Sequence, residues 1–264
     1  MGEQTYLMSR VSPRREAFAY KDWCELGGLD PYGQHKLLWT LFDLPREHQR
    51  ERTPFLFRAE KNDDGLPVLY VLSTLAPHDA SGRWRIESRA YSPDLRQGDL
   101  LAFKLRANPV NLAKVPRTAT EAESWLQRRR KEGRNAEKVI PKRIRHDVVM
   151  DAKQRMGWKD LPLESRPSLT LVAHEAGSRW LREKEEDMGF LVKPDNLRVD
   201  GHASYCLKGR RDARGLCRGI ALSTLDFEGE LEITRPEAFL STLLSGVGPG
   251  KAFGCGLLLV RRLG

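Results

Sequence analysis

Near the C-terminal end of the chain, residues 243–262 read Leu-Leu-Ser-Gly-Val-Gly-Pro-Gly-Lys-Ala-Phe-Gly-Cys-Gly-Leu-Leu-Leu-Val-Arg-Arg. Five glycines (Gly246, Gly248, Gly250, Gly254 and Gly256) fall within eleven residues, around one proline and one lysine. Glycine allows positive φ and lets another group approach the main chain without a Cβ in the way. Two readings follow. Successive exposed N–H groups could cradle an anion such as phosphate, with Gly248, Gly250 and Lys251 as the contacts. Alternatively, the stretch is a tight turn between a helix and a last buried strand at 257–260. A nucleotide-binding P-loop is excluded. That motif needs four residues between its first glycine and Gly-Lys-Ser/Thr, whereas three separate Gly246 from Gly250-Lys251, and Ala252 replaces the metal-binding hydroxyl.

A chain of 264 residues is expected to form one large domain or two small ones. Its formal charge of +9 favours polyanionic partners. The charge is unevenly placed: residues 113–160 hold fourteen Lys/Arg and seven Asp/Glu, including Arg128-Arg129-Arg130-Lys131 and Lys142-Arg143. Such a run is either a solvated face or a nucleic-acid contact. No apolar stretch approaches a membrane span. Arg10, Arg14 and Arg15 interrupt any signal-peptide core, so cytoplasmic residence is the expectation. The four cysteines (Cys24, Cys206, Cys217 and Cys255) lack metal-site spacing and are expected to be reduced thiols, with no metal site.

Along the chain, residues 5–11 alternate as a strand. Asp30-Pro31 opens a helix reaching about Asp43, because Asp caps well and Pro suits the first turn. Residues 55–60 and 66–74 form two strands around the turn Asn62-Asp63-Asp64-Gly65, with further strands at 84–90 and 99–106. Strand, helix and three strands approximate a split βαβ, or ferredoxin-like, unit. A helix is expected at 120–131. A second α+β half starts near Pro167, with a strand at 168–173, a helix at 175–188, extended segments at 203–208, 215–227 and 230–233, and a helix at 236–244.

The chemistry centres on His35. It lies on the flank of the apolar helix face, one turn from Tyr32 and beside Lys36. Imidazole titrates near neutrality and can act as general acid or base without metal. If the ligand is RNA, its 2′-hydroxyl is a built-in nucleophile, and the protein need only align it, move protons and stabilise the phosphate.

Four blocks in order then resemble a known family: Tyr6-Leu7-Met8-Ser9-Arg10-Val11; Tyr32-Gly33-Gln34-His35-Lys36-Leu37-Leu38-Trp39 with Phe55-Leu56-Phe57-Arg58; Leu105-Arg106-Ala107-Asn108-Pro109; and Phe227-Glu228-Gly229 continuing into the glycine stretch. Together they look like the CRISPR repeat-processing endoribonuclease of the CasE type, the crRNA-maturing subunit of subtype I-E Cascade. The resemblance implies an α+β fold of tandem ferredoxin-like (RRM-like) domains with a basic inserted connector, divided as 1–111, 112–166 and 167–264. It implies cleavage of CRISPR precursor RNA at the 3′ base of the repeat hairpin, without metal or other cofactor, leaving 5′-hydroxyl and 2′,3′-cyclic phosphate ends. The expected partners are the repeat RNA hairpin and other Cascade subunits, with no membrane or small-molecule ligand. The alternative is a noncatalytic scaffold that binds the RNA hairpin. The family's catalytic histidine and tyrosine fall on His35 and Tyr32, and its RNA-gripping hairpin on Lys208, Arg210, Arg211 and Arg214. The chain is longer than is usual for the family, with the excess at 14–28 and about 112–140 and the family pattern resuming near Lys142-Arg143. The later excess could extend the RNA footprint, contact another subunit, or be solvated decoration.

Overall fold

Alternation in β1 (Leu7–Pro13) sends Ser9 and Val11, both fully buried, to one face and leaves Met8 and Arg10 on the other. The helix α1 (Pro31–Trp39) follows, then β2 (Phe55–Lys61), β3 (Pro67–Ser73) and β4 (Trp84–Ala90). The four strands form one sheet in the order β2-β3-β1-β4, with every neighbouring pair antiparallel. Placing the first strand between the third and fourth is the ferredoxin-like order. Val11, Leu38, Phe55, Phe57, Leu69, Val71 and Trp84 form the core beneath α1. This computed structural model describes residues 5–17, 28, 30–43, 54–134, 139–209, 217 and 219–263. Most of the expected 14–28 excess, and Cys24 with it, lies outside these residues.

The next strand, β5 (Leu100–Ala107), does not join the first sheet. Residues 110–166 then form a separate compact unit. In it, β6 (Val110–Val115) pairs antiparallel with β7 (Lys142–Asp147), and α2 (Ala119–Lys131) and α3 (Val148–Arg155) complete the elements. Thr118 and Glu121 make a reciprocal capping box at the start of α2. Lys142-Arg143, where the family pattern is expected to resume, lies within this unit. These residues pair with Val115 and Lys114, inside the inserted unit.

The chain continues through α4 (Leu169–Arg182), the short α5 (Glu185–Met188), β8 (Phe190–Val192), β9 (Arg198–Leu207), β10 (Ile220–Ile233), α6 (Pro236–Ser245) and β11 (Leu258–Arg262). The second sheet runs β11-β5-β10-β8, with β9 also paired to β10. This repeats the ferredoxin-like order with β5 as first strand. The expectation that 99–106 belongs to the N-terminal domain is corrected. Antiparallel pairing of β5 with both β10 and β11 assigns it to the second sheet. The 168–173 segment is also helical rather than extended: the Ser168 hydroxyl accepts the Leu171 N–H at 3.2 Å and starts α4. The apolar residues Val172, Ala173, Trp180 and Leu181 then recur at helical spacing against the second sheet.

Candidate active site

The local sequence dictates where α1 begins. Asp30 is extended and its carboxylate accepts the Gly33 N–H at 2.7 Å, while Pro31 occupies the first turn. The helix buries Leu38 completely and carries His35 on the flank of that face. There His35 meets rings from three parts of the chain: Tyr32 stacked at 6.5 Å and Trp39 edge-on at 6.0 Å from its own helix, Phe55 of β2 at 6.2 Å, and Phe253 of the glycine stretch at 6.0 Å.

The Trp39 indole N–H donates to His35 Nε2 at 2.9 Å. Nε2 must then carry a lone pair, which fixes a neutral ring protonated on Nδ1. Nδ1 is buried without a hydrogen-bond partner. Burial holds the imidazole below its ordinary pKa, and the Lys208 ammonium pushes in the same direction; the Ala252 main chain pulls more weakly the other way without completing a bond to Nδ1. The site therefore holds a neutral base next to a cation.

That cation comes from the far half of the chain. Lys208 follows β9, and its Nζ lies 4.4 Å from the centre of the Tyr32 ring, with Lys36 Nζ at 5.5 Å. Lys208 is the one non-glycine residue with positive φ (55°) among the described residues. A left-handed lysine is uncommon, and here it accompanies placement of the ammonium over the ring. Leu207, Leu222 and Cys255 pack beneath Tyr32, Tyr205 and Phe253. His35, Tyr32, Lys36 and Lys208 are thus brought together by packing between the two halves. Arg210, Arg211 and Arg214 lie outside the described residues.

Beside the paired ends of β9 and β10 the expectation of reduced thiols is overturned. Cys206 and Cys217 form a disulfide across a Cα separation of 5.4 Å, where four reduced thiols were expected. Pairing of Leu207 with Ile220 brings the two flanking cysteines within bridging range, and their spacing of eleven residues gives no local signal of it. Cys255 is free and fully buried, and burial pushes its thiol up to about 12.

The glycine stretch is a packed joint. All five glycines have positive φ, between 73° and 91°. Gly246, Gly254 and Gly256 are buried, while Gly248 and Gly250 are half-buried. The Val247 N–H donates to the Gly256 carbonyl at 2.9 Å and the Gly256 N–H to that of Arg106 at 2.7 Å, so these two donors are already spent. A Cβ on Gly248 would meet the Trp180 ring at 3.1 Å, and one on Gly254 the Phe57 ring at 3.1 Å. Those rings belong to different sheets' cores, so the loop threads closely between the two ferredoxin-like folds. It delivers Ala252 and Phe253 to His35. Lys251 lines a neighbouring cavity of about 470 Å³ with Tyr6, Phe55, Thr74 and Ser245. The sequence reading missed Phe253 as a site residue; it sits inside the glycine stretch, but nothing local aims it at His35.

Among the described residues, no group of three or more His, Cys, Asp or Glu side chains could hold a metal ion. No helix among them is long and apolar enough to cross a membrane.

Comparison with known proteins agrees with this architecture. The CRISPR-associated endoribonuclease Cse3 of Thermus thermophilus is 26% identical over 246 residues, covering 88% of this chain and 90% of the relative. The CRISPR system Cascade subunit CasE of Escherichia coli is 26% identical over 231 residues, covering 87% and 90%. Among solved structures, Thermus thermophilus Cse3 bound to an RNA representing a pre-cleavage complex superposes with a TM-score of 0.61 at 22% identity, covering 98% of this chain and all of that one. Residues 6–262 match the family described as CRISPR associated protein, so the chain belongs to that family, and within it resembles the CasE type.

Proposed function

We propose that this protein is an endoribonuclease that cuts CRISPR precursor RNA at the 3′ base of the repeat hairpin and stays with the mature crRNA in a Cascade complex. The observation that carries this reading is the meeting of a neutral His35 imidazole with Lys208 and Tyr32 from opposite halves of the chain. The names of the relatives, an endoribonuclease and a Cascade subunit, support it. In this mechanism His35 exchanges its Trp39 partner for the RNA and takes the proton of the 2′-hydroxyl. The 2′-oxygen attacks the adjacent phosphorus and the bond to the 5′-oxygen breaks. The leaving oxygen receives a proton, with the imidazolium as donor. The products are a 2′,3′-cyclic phosphate and a 5′-hydroxyl. Lys208 offsets the charge that builds on the phosphate, and Tyr32 holds the ammonium in place through its ring. The glycine joint contributes by fixing Phe253 and Ala252 against the imidazole.

The test is incubation with the repeat RNA of the same locus in EDTA, followed by mapping of the cut and its ends. His35→Ala should slow cleavage by about 10²–10⁴-fold and leave binding within a few-fold. Unchanged cleavage by that variant, or wild-type cleavage that stops in EDTA, would remove the mechanism. Tight binding by wild-type protein without any product would make it a scaffold.

A further inference from the structure

None of the site residues named above lies in the inserted unit 110–166. Its own ion pairing shows an imbalance. Three of its acids are engaged: Glu121 pairs with Lys142 at 2.6 Å while capping α2, Asp151 pairs with Arg155 at 2.8 Å and accepts from Asn111, and Glu132 pairs with Arg134 at 3.3 Å. Several cations are equally engaged in holding the unit together. Arg117 and Arg129 lie 5.3 and 4.9 Å from the centre of the buried Trp125 ring, and Lys153 and Arg166 lie 4.4 and 4.5 Å from that of Trp158.

Other cations are in no ion pair among the described residues. Among them, Lys114, Arg128, Arg130, Lys131 and Arg145 are exposed. Three of them occupy the last turn of α2. Lys114 and Arg145 share one face of the β6-β7 ribbon with Leu112, which is 63% exposed, so that face is open to solvent. Cations at a helix C-terminus complement its dipole, but that accounts for neither the ribbon face nor the clustering of like charge. Arg–Trp stacking and the capping box hold the frame of the unit, while the cations left over are exposed.

We propose that this unit is a second RNA contact, in which the end of α2 and the open ribbon face neutralise backbone phosphates outside the cleavage site. The proposal rests on the RNA-processing reading of the site. A surface that contacts phosphates in this way lends affinity without sequence preference. It therefore predicts a larger salt dependence of binding than the site alone would give.

The experiment compares wild type with R128Q/R130Q/K131Q/R145Q, since glutamine keeps helix propensity and removes charge. Dissociation constants for the repeat RNA are measured between 50 and 300 mM KCl. Each lost duplex phosphate contact should lower the slope of log K against log salt by about 0.9. The variant should lose roughly 2–4 in slope and on the order of tenfold or more in affinity at 0.1 M salt, with unchanged single-turnover cleavage at saturating protein. An unchanged slope with affinity within about twofold overturns the proposal, as does a loss seen on duplex DNA but not on RNA. A thermal midpoint matching wild type shows that the unit remains folded. The two readings fail separately. Absence of cleavage by wild type refutes the nuclease, while the slope difference still reports on the inserted unit.

Discussion

Asp226→Asn tests the joint that holds both halves of the candidate site together. Asp226 on β10 lies directly opposite Arg106 on β5 and receives its guanidinium in a two-point grip at 2.9 and 2.8 Å. Arg58 reaches the same carboxylate from β2 of the first sheet at 3.4 Å and also pairs with Glu60. The Arg58 side chain is only 3% exposed and that of Asp226 20%. One Arg58 nitrogen, Nη1, is already buried without a partner. At 3.4 Å and an effective dielectric of ~20, the gross attraction between Arg58 and Asp226 is about 5 kcal/mol. Desolvation cancels much of it in the intact cluster, but removing the carboxylate charge leaves the buried Arg58 less compensated, and breaking a buried pair outright costs about 3–5 kcal/mol. Glu60 remains, which places the expected loss near ~3 kcal/mol. At roughly 2–4 °C per kcal/mol for a chain of this size, the melting temperature should fall by about 6–12 °C. Urea unfolding of wild type, D226N, R58M and R58M/D226N supplies the cycle. The double variant should recover part of the loss, because no buried guanidinium is left behind. A D226N loss under about 1 kcal/mol, or strict additivity in the cycle, would show that the cluster is too well hydrated for this reasoning.

Two further outcomes follow from the same geometry. Gly254→Ala should destabilise by roughly 2–4 kcal/mol, from left-handed strain at φ 77° and a Cβ driven to 3.1 Å from Phe57, and should slow cleavage by displacing Phe253; wild-type stability in that variant would dismiss the packed-joint reading. His35 should make stability fall with acid. Unfolded His35 takes up its proton near 6.5 and the buried folded group only at lower pH, so between these values the unfolded chain binds more protons and is favoured. Urea midpoints from pH 7.5 to 5.5 should therefore drop more steeply for wild type than for His35→Gln, and parallel curves would contradict the burial argument.

The sequence by itself determined what local chemistry decides. Asp30-Pro31 starts α1 because the cap and the fixed proline φ act within one turn. Thr118 and Glu121 do the same for α2. Alternation located the strands of the first sheet, and the order of four blocks identified the family. The reading failed where the outcome depends on residues far apart in the chain. An apolar segment such as 99–106 has no local mark of which sheet it joins; β10 and β11 decided that. The run at 168–173 suits a strand by composition, and it became helix because the second sheet offered a surface for a 3.6-residue stripe. Cys206 and Cys217 met only once β9 and β10 had paired. Lys208 reached Tyr32 across more than 170 positions of sequence through packing alone. The glycines allow positive φ wherever they stand, but only the tertiary structure determined whether the freed space would face a ligand or another side chain. Here Trp180 and Phe57 fill it, because two sheets packed this closely leave no room for a Cβ between them.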